Sequence, residues 1–385
     1  MELATSLDLD VWSHSVHGVQ LRVTPEQKWQ LQHLTRNKIL INVVVDNIQD
    51  AIDTELVQLM SQPSFQQFTN ETWHTAYHPY TDVVSWLAQL EQTYQPIVSF
   101  IPSIGKTSQG RDIPMLKITG KPGHKKVVFY QGLQHAREWI GLAALQYMAH
   151  HLAQLYVEGD GRVVSLLDAI EIHLVPISNP DGYDYAWTRE RLWRKNRAPP
   201  FGTDINRNWP FHWCEKGASK FPASDTYCGP SAGSELEVQA LMRAFTKAAN
   251  SSDIILAADF HAFSQLILRP YGCTDKPCED EDEFVKLGQV IKQAMAKRAN
   301  RSYTSIPITS LYPASGGSND WWYGAGTPVG RIKPLGIALE LPPKNGGAEG
   351  FILPPKEIIP VGVEVLEAVL SMCEYALKHP LGIRH

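Results

Sequence analysis

Four short apolar runs, each closed by turn residues, punctuate the chain at residues 127–130, 170–177, 254–260 and 336–341. Runs of this length read as buried strands. Between and around them, apolar positions recur with helical spacing at residues 81–94, 139–156, 234–249, 282–298 and 358–377. Strands alternating with helices predict an α/β fold, with a mixed, largely parallel central sheet and helices on both faces. Such sheets gather their chemistry at the carboxyl ends of the strands. The first stretch differs. Residues 21–23 and 39–45 read as strands, and 25–34 and 48–60 as helices, which makes a small α+β unit. Residues 61–73 are polar, rich in Gln and Asn, and read as a linker. The predicted division is residues 1–72 and 73–385.

Composition narrows the function. The formal net charge is −5, which gives no electrostatic footprint for nucleic acid. No apolar run reaches the roughly 18 residues that a membrane span needs. The first residues lack a basic region followed by an apolar core, so no signal peptide is visible. Five cysteines still point to an oxidising compartment, against the alternative of reduced thiols in a cytosolic enzyme. Their spacing suggests the pairs Cys214–Cys228 and Cys273–Cys278, with Cys373 a buried thiol in a helix. Sequons at Asn70, Asn250 and Asn300 lean the same way.

Chemistry concentrates just past the strands. His135 and Glu138 follow the run at 127–130, His261 follows that at 254–260, and Glu340 interrupts the apolar run at 336–341. A carboxylate in an apolar strand is costly unless it is put to use. Two imidazoles and a carboxylate suit a divalent metal such as zinc and leave a position open for water. His-x-x-Glu alone is weak, and His212 to Glu215 repeats it in a loop that follows no strand. His150, His151 and His173 read as packing or surface histidines. Basic residues from Arg191 to Arg197 lie near Asn206 and Arg207 in sequence. Guanidinium and amide donors together suit an anion such as a peptide's terminal carboxylate. Lys195 and Arg197 read as a solvated loop. Tyr312 sits in a Gly-rich loop that can close over a ligand.

Taken in order, these segments resemble the zinc metallocarboxypeptidases of the carboxypeptidase A/B group. The motifs are His135-x-x-Glu138, Ser178 to Tyr183, Arg191 to Lys195, Asn206-Arg207-Asn208-Trp209, His261 with Ser264-Gln265-Leu266, Tyr312 through Asp320-Trp321, and Glu340. The resemblance implies one Zn2+ per chain held by His135, Glu138 and His261. It implies Glu340 as general base and Arg194 as the group that polarises the scissile carbonyl. Asn206, Arg207 and Tyr312 would hold the terminal carboxylate, and Arg137 would line the approach. The first region resembles the inhibitory pro-segment of the family, shortened at its start, so Met1 is expected not to be the true N-terminus. The expected partners are peptide or protein C-termini and an activating protease, with no nucleic acid and no membrane. The expected product is a secreted, monomeric zymogen, or one held in a vacuole-like compartment. No Lys or Arg lies between Lys38 and Lys106, so a trypsin-like activator has no site at the boundary. Members of the family often follow the base with Leu-Arg-Asp, whereas here Leu341-Pro342-Pro343 follows Glu340. The positions that match the side-chain pocket, Leu268, Gly272, Pro307, Ala314, Asn319 and Ala338, carry no charge, which implies hydrophobic or aromatic C-terminal residues. The alternative, a non-catalytic zinc- or peptide-binding relative, is disfavoured because Glu340 is kept.

Overall fold

A computed structural model describes residues 7, 9–15, 18–36, 38–61, 65, 68–299, 301–347 and 349–385. The chain opens with an antiparallel ribbon, β1 (Asp10–Ser15) and β2 (Gly18–Arg22), followed by helices α1 (Pro25–Leu34) and α2 (Ile48–Met60). Local chemistry sets both helix starts. Thr24 and Gln27 cap α1 reciprocally, and Pro25 occupies a first-turn position where an N–H would have no partner. The Asn47 side chain accepts from the Gln49 N–H at the start of α2. The apolar run at 39–45 forms no strand, contrary to expectation. β-branched residues favour a strand only where a neighbour exists, and β1 and β2 pair only with each other among the described residues. Leu40 is left 87% exposed.

The remaining elements are α3 (Asn70–Trp73), α4 (Tyr80–Tyr94), β3 (Val98–Ile101), β4 (Met115–Thr119), β5 (Lys126–Gly132), α5 (Trp139–Val157), α6 (Gly161–Ala169), β6 (Ile170–Val175), α7 (Pro180–Thr188), α8 (Leu236–Ser251), β7 (Ile254–Ala262), β8 (Leu266–Arg269), α9 (Glu281–Ala296), β9 (Thr304–Pro307), α10 (Ile308–Leu311), α11 (Ser318–Trp321), β10 (Leu335–Leu341) and α12 (Ile358–Lys378). The polar stretch before Trp73 is a linker only in part. Phe65 and Phe68 pack edge-on against Trp73, which is buried and stacks on His78 and Trp86.

Strands β3 to β10 form one eight-stranded sheet in the order β3-β4-β6-β5-β7-β10-β8-β9. Its centre, β6-β5-β7-β10, is parallel, and antiparallel pairings join β3, β4 and β8 to it. The sheet is thus mixed with a parallel core, as the alternating pattern predicts. The four apolar runs are these central strands. The flanking strands are short and partly exposed, and the hydrophobic pattern does not mark them.

Alternation along β5 divides the core. Val128 and Tyr130 enter the layer shared with α5 and α12, whereas Val127 and Phe129 meet Trp209, Phe245 and Trp322 on the other face. Helix α5 is buried around most of its circumference, which its nearly continuous apolar sequence demands. Gly141, in its first turn, is required there because a Cβ would stand 2.9 Å from the Phe260 carbonyl oxygen of β7. That close approach brings the start of α5 against the end of β7. The chain leaves β5 for β6 on one side and meets β7 on the other, so a crevice opens at the carboxyl ends of these strands.

Cys214 and Cys228 form a disulfide. Cys273 and Cys278 do not, which corrects the second expected pair. Their groups serve different neighbours: Cys273 donates its N–H to Asp320, and the Cys278 thiol faces Glu281. Cys373 is a buried free thiol 3.0 Å from the Tyr130 hydroxyl. Of the sequons, Asn250 is exposed at the end of α8, and Asn300 lies outside the described residues.

Candidate metal and peptide-binding site

The crevice brings together the residues that the sequence scatters. His135 and Glu138 lie in the turn between β5 and α5, and His261 lies near the end of β7. Glu340 sits directly beside His261 in the parallel register of β10 and β7. Glu138 approaches both imidazoles, 2.8 Å from His135 Nδ1 and 2.9 Å from His261 Nδ1. The two Nδ1 atoms are 3.2 Å apart. One ligand atom from each of the three residues lies within 4.8 Å of the others, and all three residues are buried.

The far side of each ring is also held. His135 Nε2 meets Asp204 Oδ1 at 3.2 Å, and His261 Nε2 meets Asp259 Oδ2 at 3.0 Å. A carboxylate behind a ligating histidine fixes its tautomer and aims its other nitrogen. Burial alone would raise the Asp204 pKa, but Arg194, His135 and Arg207 hold it well below the usual carboxylate range. Two imidazoles and a carboxylate, aimed inward and backed by carboxylates, fit a borderline-soft divalent cation such as zinc.

Neither backing carboxylate follows from the motifs. Asp259 was nonetheless within reach of the argument that singled out Glu340. It is a carboxylate in an apolar strand, two residues from His261 and so on the same face. It accepts hydrogen bonds from Gln131, Gln134 and the Ser318 hydroxyl.

Two adjoining cavities meet at this set. One is lined by Arg194, Arg137 and Glu138, and the other by Asn206, Arg207, Asn319 and Ala338, with His135, Tyr312 and Glu340 facing both. Arg194 is fixed by Asp204, to which its Nε and a terminal nitrogen donate at 3.1 and 2.8 Å. Arg207 lies 5.8 Å from the Tyr312 ring centroid. Gly316, at φ +71°, closes the Tyr312 loop onto the Arg207 backbone, where a Cβ would stand 2.4 Å from the carbonyl oxygen. Of the expected pocket positions, Leu268, Ala314, Asn319 and Ala338 line the second cavity. Gly272 and Pro307 do not, and Ile308, Leu311 and Asp320 take part instead. Asp320 spends its carboxylate on the N–H groups of Gly272 and Cys273. Asn319 Nδ2 is buried with no hydrogen-bond partner among the described residues.

The N-terminal unit covers the first cavity. Val11 and Trp12 line it together with His135 and Glu138. Arg137 does not face open solvent: it bonds both oxygens of Asp10, at 3.0 and 3.1 Å, and lies over the Phe351 ring. Helix α2 contributes Glu55, which is buried and bonds Arg191 at 2.5 and 3.2 Å. The loop after Pro343 meets this unit as well, with Gly346 donating its N–H to Gln20. Two expectations for the basic segment need correction. Lys195 is buried, its ammonium donating to the carbonyls of Pro222 and Ser224, and Arg197 stacks on Tyr185 and Trp193. Neither is a solvated loop charge, because carbonyls and aromatic faces take the place of water. The His212–Glu215 pair is exposed on a loop, as expected.

A sequence profile for zinc carboxypeptidases matches residues 83–368, and one for the carboxypeptidase activation peptide matches residues 1–55. Zinc carboxypeptidase A 1 of Anopheles gambiae is 35% identical over 337 residues, covering 86% of this chain and 74% of that protein. Carboxypeptidase B of Homo sapiens is 32% identical over 397 residues, covering 98% and 89%. The crystal structure of carboxypeptidase A from Helicoverpa armigera superposes with a TM-score of 0.85 at 27% identity, covering 98% of this chain and 93% of that one. The chain therefore belongs to the zinc carboxypeptidase family, as a peptide-bond hydrolase that carries the activation peptide of the family at its N-terminal end.

Proposed function

We propose that this chain is a secreted zymogen that removes single C-terminal residues, hydrophobic or aromatic, from peptides and proteins. The reading rests on one observation: three inward-aimed metal-ligand candidates share a crevice with Glu340, Arg194 and an Arg207–Asn206–Tyr312 anion pocket. His135, Glu138 and His261 would hold one zinc ion. When bound, zinc supplies the positive charge that acidifies water and polarises the scissile carbonyl. The substrate's terminal carboxylate would lie against Arg207 and Asn206, with the Tyr312 phenol closing over it. Glu340 would take a proton from the attacking water and deliver it to the leaving amine. Burial pushes its carboxyl up to about 8, His261 pulls it down, and Glu138 adds to the rise. A carboxyl in that range exchanges protons near neutrality, and positive charge beside it favours the basic form. Arg194, clamped by Asp204, would steady the charge developing on the carbonyl oxygen.

Leu268, Ala314 and Ala338 favour apolar side chains, the Asp320 carboxylate being engaged by the Gly272 and Cys273 N–H groups, and the spare Asn319 Nδ2 donor tolerates a polar one. Residues 1–72 would form the pro-segment with its linker and residues 73–385 the catalytic domain. Arg137 would line the substrate's approach once Asp10 has left. Activation would need a protease that cuts without Lys or Arg, since none occurs between Lys38 and Lys106.

The test is release of Phe from an N-blocked dipeptide by the chain trimmed to begin near Trp73, with a zinc chelator and Glu340→Gln as controls. Chelator-sensitive release that the substitution abolishes supports the reading. No release from a folded, zinc-loaded protein with Phe, Lys and Glu termini alike would overturn it.

A further inference from the structure

A second cluster of imidazoles lies about 18 Å along α5 from Glu138, three turns further down the helix. It joins His150 and His151, neighbours on α5, to His74, which follows α3. One ring nitrogen from each lies within 4.8 Å of the others, with His74 and His150 buried and His151 half-buried. His74 Nε2 and His150 Nδ1 are 3.1 Å apart. In a tetrahedral zinc site with bonds of about 2.0–2.1 Å, ligand nitrogens stand roughly 3.3 Å apart. One pair is already at that separation, and the third ring, within 4.8 Å of both, needs to close by no more than about 1.5 Å.

The outer edges of two rings are held as ligand histidines usually are. His151 Nδ1 lies 2.9 Å from the Tyr147 carbonyl oxygen, which only accepts. The ring proton is therefore on Nδ1, and Nε2 keeps its lone pair. His150 Nε2 meets the Tyr94 hydroxyl at 3.1 Å, leaving Nδ1 turned toward His74. Burial, and then the neighbouring rings, lowers the pKa of His74 to about 2 and of His150 to about 4. Glu158, at the end of α5, acts electrostatically on both His151 and Tyr94 and places negative charge nearby.

We propose that His74, His150 and His151 form a second metal site, which takes zinc or a similar borderline-soft divalent cation. Three neutral imidazoles with no carboxylate among them select such a cation over calcium or magnesium. The bound ion staples the chain just after the α2–α3 linker to α5. It thereby secures the segment that becomes the new N-terminal end if the linker is cut.

Cobalt titration of the metal-free full-length chain, followed by visible absorption and by metal analysis after gel filtration, tests this without reference to activity. Two equivalents are expected, falling to one in His151→Gln and in His150→Gln. The remaining equivalent should disappear when Glu138→Ala is added to either variant. His151 is half-buried, so its substitution is the milder of the two, and the wild-type count decides independently of either variant. Uptake of a single equivalent by the wild-type chain would overturn the proposal, as would two equivalents that survive both histidine substitutions.

Discussion

Glu55→Gln should wake the uncleaved chain. Glu55 and Arg191 are both buried, and their carboxylate–guanidinium pair joins α2 to the body of the enzyme. Removing one partner of a buried pair typically costs about 3–5 kcal/mol, because the other charge is left without compensation. Here the cost falls at the low end. The Arg191 guanidinium keeps the carbonyls of Arg137 and Phe351, at 2.9 and 2.7 Å, and remains 3.6 Å from the Trp139 ring centroid. About 3 kcal/mol off the docking free energy raises the undocked fraction roughly a hundredfold. Val11 and Trp12 line the cavity of the metal-ligand candidates only while this unit is docked. Peptidase activity of the uncleaved variant should therefore rise by about two orders of magnitude, or to the ceiling set by the activated enzyme. The assay compares Phe release by uncleaved wild type, uncleaved Glu55→Gln and the trimmed chain. An uncleaved variant that is folded and as silent as wild type, beside an active trimmed chain, would refute the reasoning. Docking would then rest on the Asp10–Arg137 contact and the Trp12–Phe263–Phe351 cluster instead.

Three further outcomes are expected. Glu340→Gln should lower kcat by a factor of about 100 to 10,000 with zinc content unchanged, as loss of a general base does; a variant with wild-type kcat would exclude Glu340 from that role. Asn319→Asp places a charge in a pocket lined by Leu268, Ala314 and Ala338, and should shift kcat/KM from Phe toward Arg and Lys termini; an unchanged Phe-to-Arg ratio would show that the pocket lies elsewhere. Glu237 is fully buried, and burial pushes its pKa from 4.5 up to about 7. A raised folded-state value means that its contribution is fully present below about pH 4.5 and lost as pH rises through 7, by at most about 3 kcal/mol. Glu237→Gln should therefore raise Tm at pH 8 and leave it unchanged at pH 4.5; an equal shift at both would contradict the linkage.

The central strands were legible because each is buried on both faces, and such strands read as continuous apolar runs wherever they occur. The same reasoning failed at residues 39–45, which are equally apolar. Strand formation there depends on a neighbour that sequence composition does not report, and Val43 and Val44 stay exposed. Cys273 and Cys278 failed for a related reason. Five positions of separation permits a bridge, but the Cys273 N–H is held by Asp320, distant in sequence, and the Cys278 thiol turns to Glu281. Short-range pattern predicts what short-range forces decide.

The candidate site divides along the same line. His135, Glu138, His261 and Glu340 could be singled out because each stands at or just past a strand end, a place that the fold class makes meaningful. Asp204 stands after no strand, and its closeness to His135 and Arg194 is visible only in three dimensions. Asp259 is the instructive case. It carries the same signal as Glu340, an acid in an apolar strand, and it lies in the strand that also delivers His261. It belongs to none of the motifs, but the cost of burying a charge singles it out. His150 and His151 mark the opposite limit. Two adjacent histidines on a buried helix reveal nothing by themselves, because their chemistry depends on His74, brought over from the end of the linker.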